Sequence, residues 1–175
     1  MSYILDIGTA VPKDSLTQEQ FYDIYSSMTE DTDTQRKIKF LTARSAINKR
    51  NCVEPDIKKL VAMPLEAKLA TYHSSALELA IGAIENNTAF QQNKENITDI
   101  IFISCTGMQA PGVEIDLVNH FKLNTNIRRY NVNFMGCYAA LTGLRMAKDI
   151  CNTPNRTVLM VSVELCTLHF QNKFI

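Results

Sequence analysis

The sequence predicts an α/β fold on a mainly parallel sheet, and three observations carry that prediction. Four short runs rich in β-branched residues read as strands. Stretches of helical periodicity separate them in the order strand, helices, strand, helix, strand, helix, strand, the order expected of parallel strands joined by crossover helices. Two of the runs, DIIFISC at 99–105 and TVLMVSV at 157–163, are apolar without alternation, as strands covered on both faces are.

Each element has its own warrant. YILDIGT at 3–9 reads as an opening strand, followed by helical stretches at 17–27 and 37–47. A long helix is expected across 65–86, where Leu65, Leu69, Tyr72, Ala76, Leu79, Ala80 and Ala83 form a one-sided stripe. After the strand at 99–105 come a helix at 112–122 and a strand at 129–134. The helix expected at 137–150, CYAALTGLRMAKDI, is small or apolar nearly all round in its first half. Such a helix needs cover on most faces. No repeat, low-complexity tract or linker interrupts the chain, which reads as one unit over 1–175.

Bulk composition narrows the function classes. The 175 residues carry 18 basic and 18 acidic side chains, so there is no global attraction to nucleic acid or anionic membrane, and any anion site must be local. No apolar run approaches the roughly 20 residues that span a bilayer. The N-terminus lacks a basic segment followed by an apolar core, so no signal peptide is expected. Five cysteines, at 52, 105, 137, 151 and 166, show no C-x-x-C spacing. A reducing, cytoplasmic setting is the expectation.

The stretch with most chemistry is NVNFMGCYAALTGLRMAKDI, residues 131–150. A strand ending at Phe134, a turn through Met135 and Gly136, and a helix opening at Cys137 would put sulfur near free N–H groups, where the helix dipole favours thiolate. Gly136 permits a tight turn. On the residues alone two readings stay open: a nucleophile at a helix mouth, or a cysteine filling a buried niche. A metal set of Cys166 and His169 with Cys105 and Cys137 is disfavoured. Residues three apart on a strand point to opposite faces, and the usual spacing is missing. His73 and His120 fall in helical stretches and read as surface or satisfied polar residues.

Together these segments resemble the chalcone and stilbene synthase family, the type III polyketide synthases of the thiolase-like superfamily. The resemblance rests on NFMGCYAALTGLRMAKDI, on ILDIGTAVP (4–12), on ISCTGMQAPGVEIDLVNHFKL (103–123) and on LMVSVELCTLHFQ (159–171), in order and spacing. It implies one half of a five-layer α/β/α/β/α fold with a buried central helix, a homodimer, and a C-terminal half absent from this chain. It implies an acyltransferase that loads a starter acyl group from coenzyme A onto a cysteine and extends it with malonyl-CoA. No permanently bound cofactor and no metal are implied; the coenzyme A thioesters are substrates.

Carried over by residue, Cys137 matches the nucleophile. Cys105 and Thr106 match positions lining the acyl cavity, with Cys166 and His169 opposite on a later strand. Glu164 matches a supporting carboxylate. Plant members usually carry threonine where Cys105, Cys166 and His169 stand, and many carry methionine at Ala110. The family's catalytic histidine and asparagine belong to the second half. Arg36 to Arg50 holds six cations and no acid. It reads either as a solvated face or, as the resemblance implies, as an anchor for coenzyme A phosphates through Lys37 and Arg44, with Lys39 beside them. The alternatives are an initiating β-ketoacyl-acyl-carrier-protein synthase and a non-catalytic half that only dimerises.

Overall fold

The computed structural model describes residues 2–171. The chain forms two compact units.

The smaller unit holds the described residues of Val11–Pro64 and Cys166–Ile175. Strand β1 (Asp14–Thr17) pairs antiparallel with β2 (Lys49–Cys52), Asp14 opposite Cys52. Between them lie α1 (Gln18–Ser26) and α2 (Thr32–Arg44), and α3 (Ile57–Ala62) follows. Thr17 and Gln20 close a reciprocal cap on α1. Asp31 caps α2 by accepting from the Asp33 and Thr34 N–H groups, which starts the helix before the expected Lys37. It ends at Arg44, ahead of Ala46 at φ 54°. The Gln18 amide ties the two helices, donating to the Thr42 carbonyl and the Ser45 hydroxyl at 2.8 Å each. Leu16, Ile38, Cys52, Ile57 and Leu60 are buried. Burial, with the charges of Asp14 and Glu54 adding to it, pushes the Cys52 thiol up.

The larger unit holds the described residues of Met1–Ala10 and Leu65–Leu165. Its elements are α4 (Leu65–Glu85), α5 (Thr88–Asn93), β3 (Asp99–Ser104), α6 (Val113–Phe121), β4 (Arg128–Asn133), α7 (Ala139–Cys151) and β5 (Val158–Ser162). The strands run parallel in the order β4-β3-β5. The central strand, β3, is buried along its whole length. Ile101 and Ile103 join Val132 and Ala139 in one core, against which Met146, Ala147 and Ile150 of α7 pack. Removing each such isoleucine from water contributes about 2–3 kcal/mol. By alternation Ile100 and Phe102 face the other way, on the side where α6 lies against β3 and β4 and α4 lies against α6.

One glycine sets the seat of α7. A Cβ at Gly143 would stand 2.3 Å from the Ile103 Cδ1 and 3.2 Å from the Met160 Sδ, so only a residue without a side chain lets the helix lie this close to β3. On its other side α7 leaves Leu141 at 63% and Leu144 at 41% exposure. The apolar first half of the helix is thus covered by the described residues on one side only.

The expected opening strand does not form. Residues 3–9 have no strand partner among the described residues, and Tyr3, Ile4, Leu5 and Ile7 are exposed. An isolated strand leaves its backbone groups and its apolar residues unmet, so apolarity alone does not make one. Side-chain contacts hold the segment instead. The Asp6 carboxylate accepts from the Thr88 N–H at 2.8 Å, the Thr88 hydroxyl at 2.9 Å and the Ala89 N–H at 3.3 Å. The Asn86 amide donates to the Thr9 carbonyl.

Candidate active site

Parallel sheets gather functional groups where their strands end. At that edge of the larger unit three loops meet: Cys105–Thr106 after β3, Phe134–Tyr138 after β4, and Val163–Glu164 after β5.

The loop after β4 carries Cys137, which is exposed and reduced. Two residues in it take left-handed backbone, Phe134 at φ 55° and Gly136 at φ 85°. For phenylalanine that conformation costs about 1–2 kcal/mol. The glycine adopts it freely. The turn is fastened by the Phe134 N–H donating to the Ser104 carbonyl at 3.3 Å and by the Ala139 N–H donating to the Gly136 carbonyl at 3.0 Å. Contrary to the sequence reading, β4 ends at Asn133, and the helix opens at Ala139 rather than at Cys137. Its N-cap is Tyr138, which supplies no side-chain acceptor, and its first turn holds no acid. Cys137 therefore lies in the turn just before the positive end of α7.

Glu164 braces the other two loops. Its carboxylate accepts from the Cys105 N–H at 2.9 and 3.1 Å and from the Thr106 hydroxyl at 2.8 Å. The Thr106 oxygen in turn accepts from the Leu165 N–H at 2.8 Å. The half-buried Cys105 thiol donates to the Gly136 carbonyl at 3.3 Å. Cys105, Thr106, Gly136 and Glu164 are thus directly bonded around the loop that carries Cys137.

Two neighbours escaped the sequence reading. Ser104 ends β3 with its side chain buried, and its Oγ accepts from the Thr106 N–H at 3.3 Å. Tyr72 of α4 is buried nearby, and burial pushes its phenol up. The Ser104 hydroxyl opposes that shift, and the charges of Glu164 and Cys105 add to it. The available signals were slight: one polar residue closing the DIIFIS run, and the only aromatic in the α4 stripe.

The remaining expected residues lie in the smaller unit. Cys166 and His169 sit on a 3₁₀ turn (Cys166–His169), not on a strand. On such a turn positions i and i+3 share a face, so the opposite-face argument against a metal does not apply to them. Among the described residues no three His, Cys, Asp or Glu side chains cluster as metal ligands would. Lys37 and Arg44 are exposed on α2, and the Arg44 guanidinium lies 4.4 Å from the Phe40 ring centre. Arg36 pairs with Asp33 at 3.6 Å. His73 is within 3.4 Å of Asp116, and His120 is exposed. Neither bonds to Cys137.

A polar cleft of about 780 Å³ lies at the opposite edge of the sheet, lined among others by Thr98, Cys151, Asn155 and Arg156. It contains none of the expected residues. Beside it the Arg156 guanidinium pairs at 3.4 Å with Asp99, whose side chain is fully buried. No helix among the described residues is long and apolar enough to cross a membrane.

Comparison with known proteins gives this arrangement its relatives. The family model of chalcone and stilbene synthases, N-terminal domain, matches residues 1–173. The chain is 29% identical to bisdemethoxycurcumin synthase of Oryza sativa subsp. japonica, over 97% of its own length and 46% of that protein. It is 27% identical to probable polyketide synthase 1 of Dictyostelium discoideum, over 98% of the chain and 6% of that protein. Among solved structures, the C-terminal type III polyketide synthase domain of Steely1 from Dictyostelium superposes with a TM-score of 0.87 at 28% identity, covering 98% of this chain and 50% of that one. The 1,3,6,8-tetrahydroxynaphthalene synthase of Streptomyces coelicolor shares the fold with a TM-score of 0.86 at 23% identity, over 97% and 49%. The chain therefore spans half or less of each of these relatives. It belongs to the chalcone and stilbene synthase family of type III polyketide synthases, thiolase-like in fold, and corresponds to their N-terminal half.

Proposed function

We propose that this chain is the nucleophile-bearing half of a polyketide-forming acyltransferase. The Cys137 sulfur attacks the carbonyl of a starter acyl-CoA, the oxyanion collapses, and coenzyme A leaves as its thiolate. The acyl group stays on Cys137 as a thioester. Decarboxylation of malonyl-CoA then supplies the carbanion that attacks this thioester and extends the chain. The thioesters are substrates, and no permanently bound cofactor enters the scheme. The observation that carries the reading is Cys137 itself: exposed, on a left-handed turn at the strand ends, ahead of a helix start without a local acid.

The other roles follow from it. Cys105 and Thr106 border the acyl group, and the family resemblance assigns Cys166 and His169 to acyl binding as well. Lys37, Phe40, Leu41 and Arg44 recur at i, i+3, i+4 and i+7 on α2, and all four are exposed. That face offers two cations to the coenzyme A phosphates. The histidine and asparagine that assist condensation in the family come from a second half, so complete turnover requires it.

Acyl-CoA incubation followed by peptide mass spectrometry tests the reading. An acyl adduct is expected on Cys137 and none in Cys137→Ala; an adduct retained elsewhere at the same level refutes the assignment. Extension from malonyl-carrier protein instead of malonyl-CoA would place the chain with the initiating β-ketoacyl-carrier-protein synthases. A second reading, a half that only dimerises, is favoured by Phe134, Tyr138, Leu141 and Leu144, all exposed beside the nucleophile. Light scattering at micromolar concentration should then find a dimer, and a monomer would dismiss this second reading.

A further inference from the structure

The Gly136 carbonyl and the Cys137 N–H belong to one trans peptide unit, the only cis bond described being Ala110–Pro111. In a planar trans peptide these two groups point in opposite directions. Whatever holds the carbonyl therefore aims the N–H. Two donors hold it: the Ala139 N–H at 3.0 Å from the helix side and the Cys105 thiol at 3.3 Å from β3. The Cys105 main chain is itself fixed, because both Glu164 carboxylate oxygens accept from its N–H. The Cys137 N–H has no acceptor among the described residues.

We propose that Cys105 is a positioning residue: its thiol latches the 136–137 peptide so that the Cys137 N–H points away from β3, free to meet the oxyanion that forms when Cys137 takes an acyl group. This deepens the acyltransferase reading and rests on it, since an oxyanion donor matters only to a thiol that is acylated. The latch is needed because the residue before the nucleophile is glycine, whose backbone rotates at little cost. A thiol is a weak donor, yet here it acts from an anchored backbone on a carbonyl already held on its other side. Cys105 touches no reacting atom in this scheme and acts through the backbone of the turn.

Two reactions of Cys137 separate aim from general reactivity. Acetylation by p-nitrophenyl acetate passes through an oxyanion; alkylation by iodoacetamide does not. Both are followed at Cys137 by peptide mass spectrometry in the wild-type chain, Cys105→Ala and Cys105→Ser. Removing an aligned oxyanion donor costs about 10²–10³ in rate, and with Ala139 still holding the carbonyl the expected loss of acetylation in Cys105→Ala is about tenfold. Alkylation should change by less than about twofold, because it draws on no such donor. Cys105→Ser, which keeps a donor, should recover most of the loss. Equal falls in both reactions, unchanged acetylation, or no recovery with serine would each overturn the latch. A wild-type chain that accepts acetyl from the ester but nothing from an acyl-CoA would sink the synthase reading and leave the latch standing.

Discussion

Gly143→Ala is a test in which the sign of the effect decides. In an ordinary helix the substitution helps, by about 1 kcal/mol. Here the new Cβ would lie 2.3 Å from the Ile103 Cδ1 and 3.2 Å from the Met160 Sδ. Carbon atoms in contact rest about 3.5–4.0 Å apart, so the helix and strand must separate by about 1.2–1.7 Å or Ile103 must leave its rotamer. Ile103 is fully buried in β3 with its neighbours packed around it, which leaves it nowhere to go. Overpacking of this kind costs about 1–3 kcal/mol, and the strand cannot yield without breaking its pairing on both sides. Setting a cost near the top of that range against the propensity gain leaves a net loss of about 1–2 kcal/mol. For a chain of this size that lowers Tm by about 2–8 °C. Urea unfolding of the two proteins, followed by circular dichroism, measures it. Acetylation of Cys137 should slow as well, because α7 carries the turn on its first residues. A variant as stable as the wild type, or more so, would show that the close seat of α7 is not what the glycine provides.

Two further outcomes follow from other parts of the larger unit. Arg156→Met keeps an unbranched apolar stem but leaves the buried Asp99 with the Thr98 hydroxyl at 2.6 Å and, as its one remaining cation among the described residues, Arg128, 4.0 Å away and largely exposed; a loss of about 3 kcal/mol in urea unfolding is expected, and one below about 1 kcal/mol would contradict the pairing. The Asp6 carboxyl is held below its ordinary value of 3.8, first by the Thr88 hydroxyl and then by the Ala89 and Ile7 N–H groups. A lowered carboxyl contributes fully above its unfolded value and loses that contribution as pH falls through the folded one. Protection of the Thr88 and Ala89 N–H groups, taken relative to the intrinsic exchange rate at each pH, should therefore be full at neutral pH and fall below 3.8. In Asp6→Asn the protection should lack that pH step; a wild type whose protection matches that of Asp6→Asn at neutral pH and in acid alike would refute the pin.

The sequence was most legible where a segment's burial is decided by its own residues. DIIFIS is apolar on both faces and lies at the centre of the sheet, and the α4 stripe marks the helix within a residue of its ends. It was least legible where a partner decides. YILDIGT has a strand's composition but no strand beside it, whereas DSLT and KRNC, polar and four residues long, become strands because they face each other. LCTLHF has the apolar content of a strand yet winds into a 3₁₀ turn, its Phe170 ring set against Phe21 and Tyr25 at 6.1 and 5.1 Å. At the candidate site, the glycine, the small residues and the strand end made the turn around Cys137 readable, though not the choice between a nucleophile and a packed cysteine. The true start of α7 was not readable, because Tyr138 gives no capping side chain to read. Nor does local pattern reveal that a carboxylate at 164 will meet the backbone at 105, since that contact exists only once β3 and β5 are neighbours.

The bonds around the Cys137 loop also set an order of assembly. Cys105 reaches Gly136 across 31 residues, and Glu164 reaches back to Cys105 across 59. Contacts of such separation carry a loop-closure cost that local contacts do not, and both ends must exist before they can close. A chain emerging from synthesis as far as α7 already carries the thiol, but β5 and its carboxylate have not yet arrived. Until they do, the sulfur is a bare reactive group without a brace, open to whatever electrophile reaches it first. The docking of β5 thus braces the loops beside a thiol that until then stood alone.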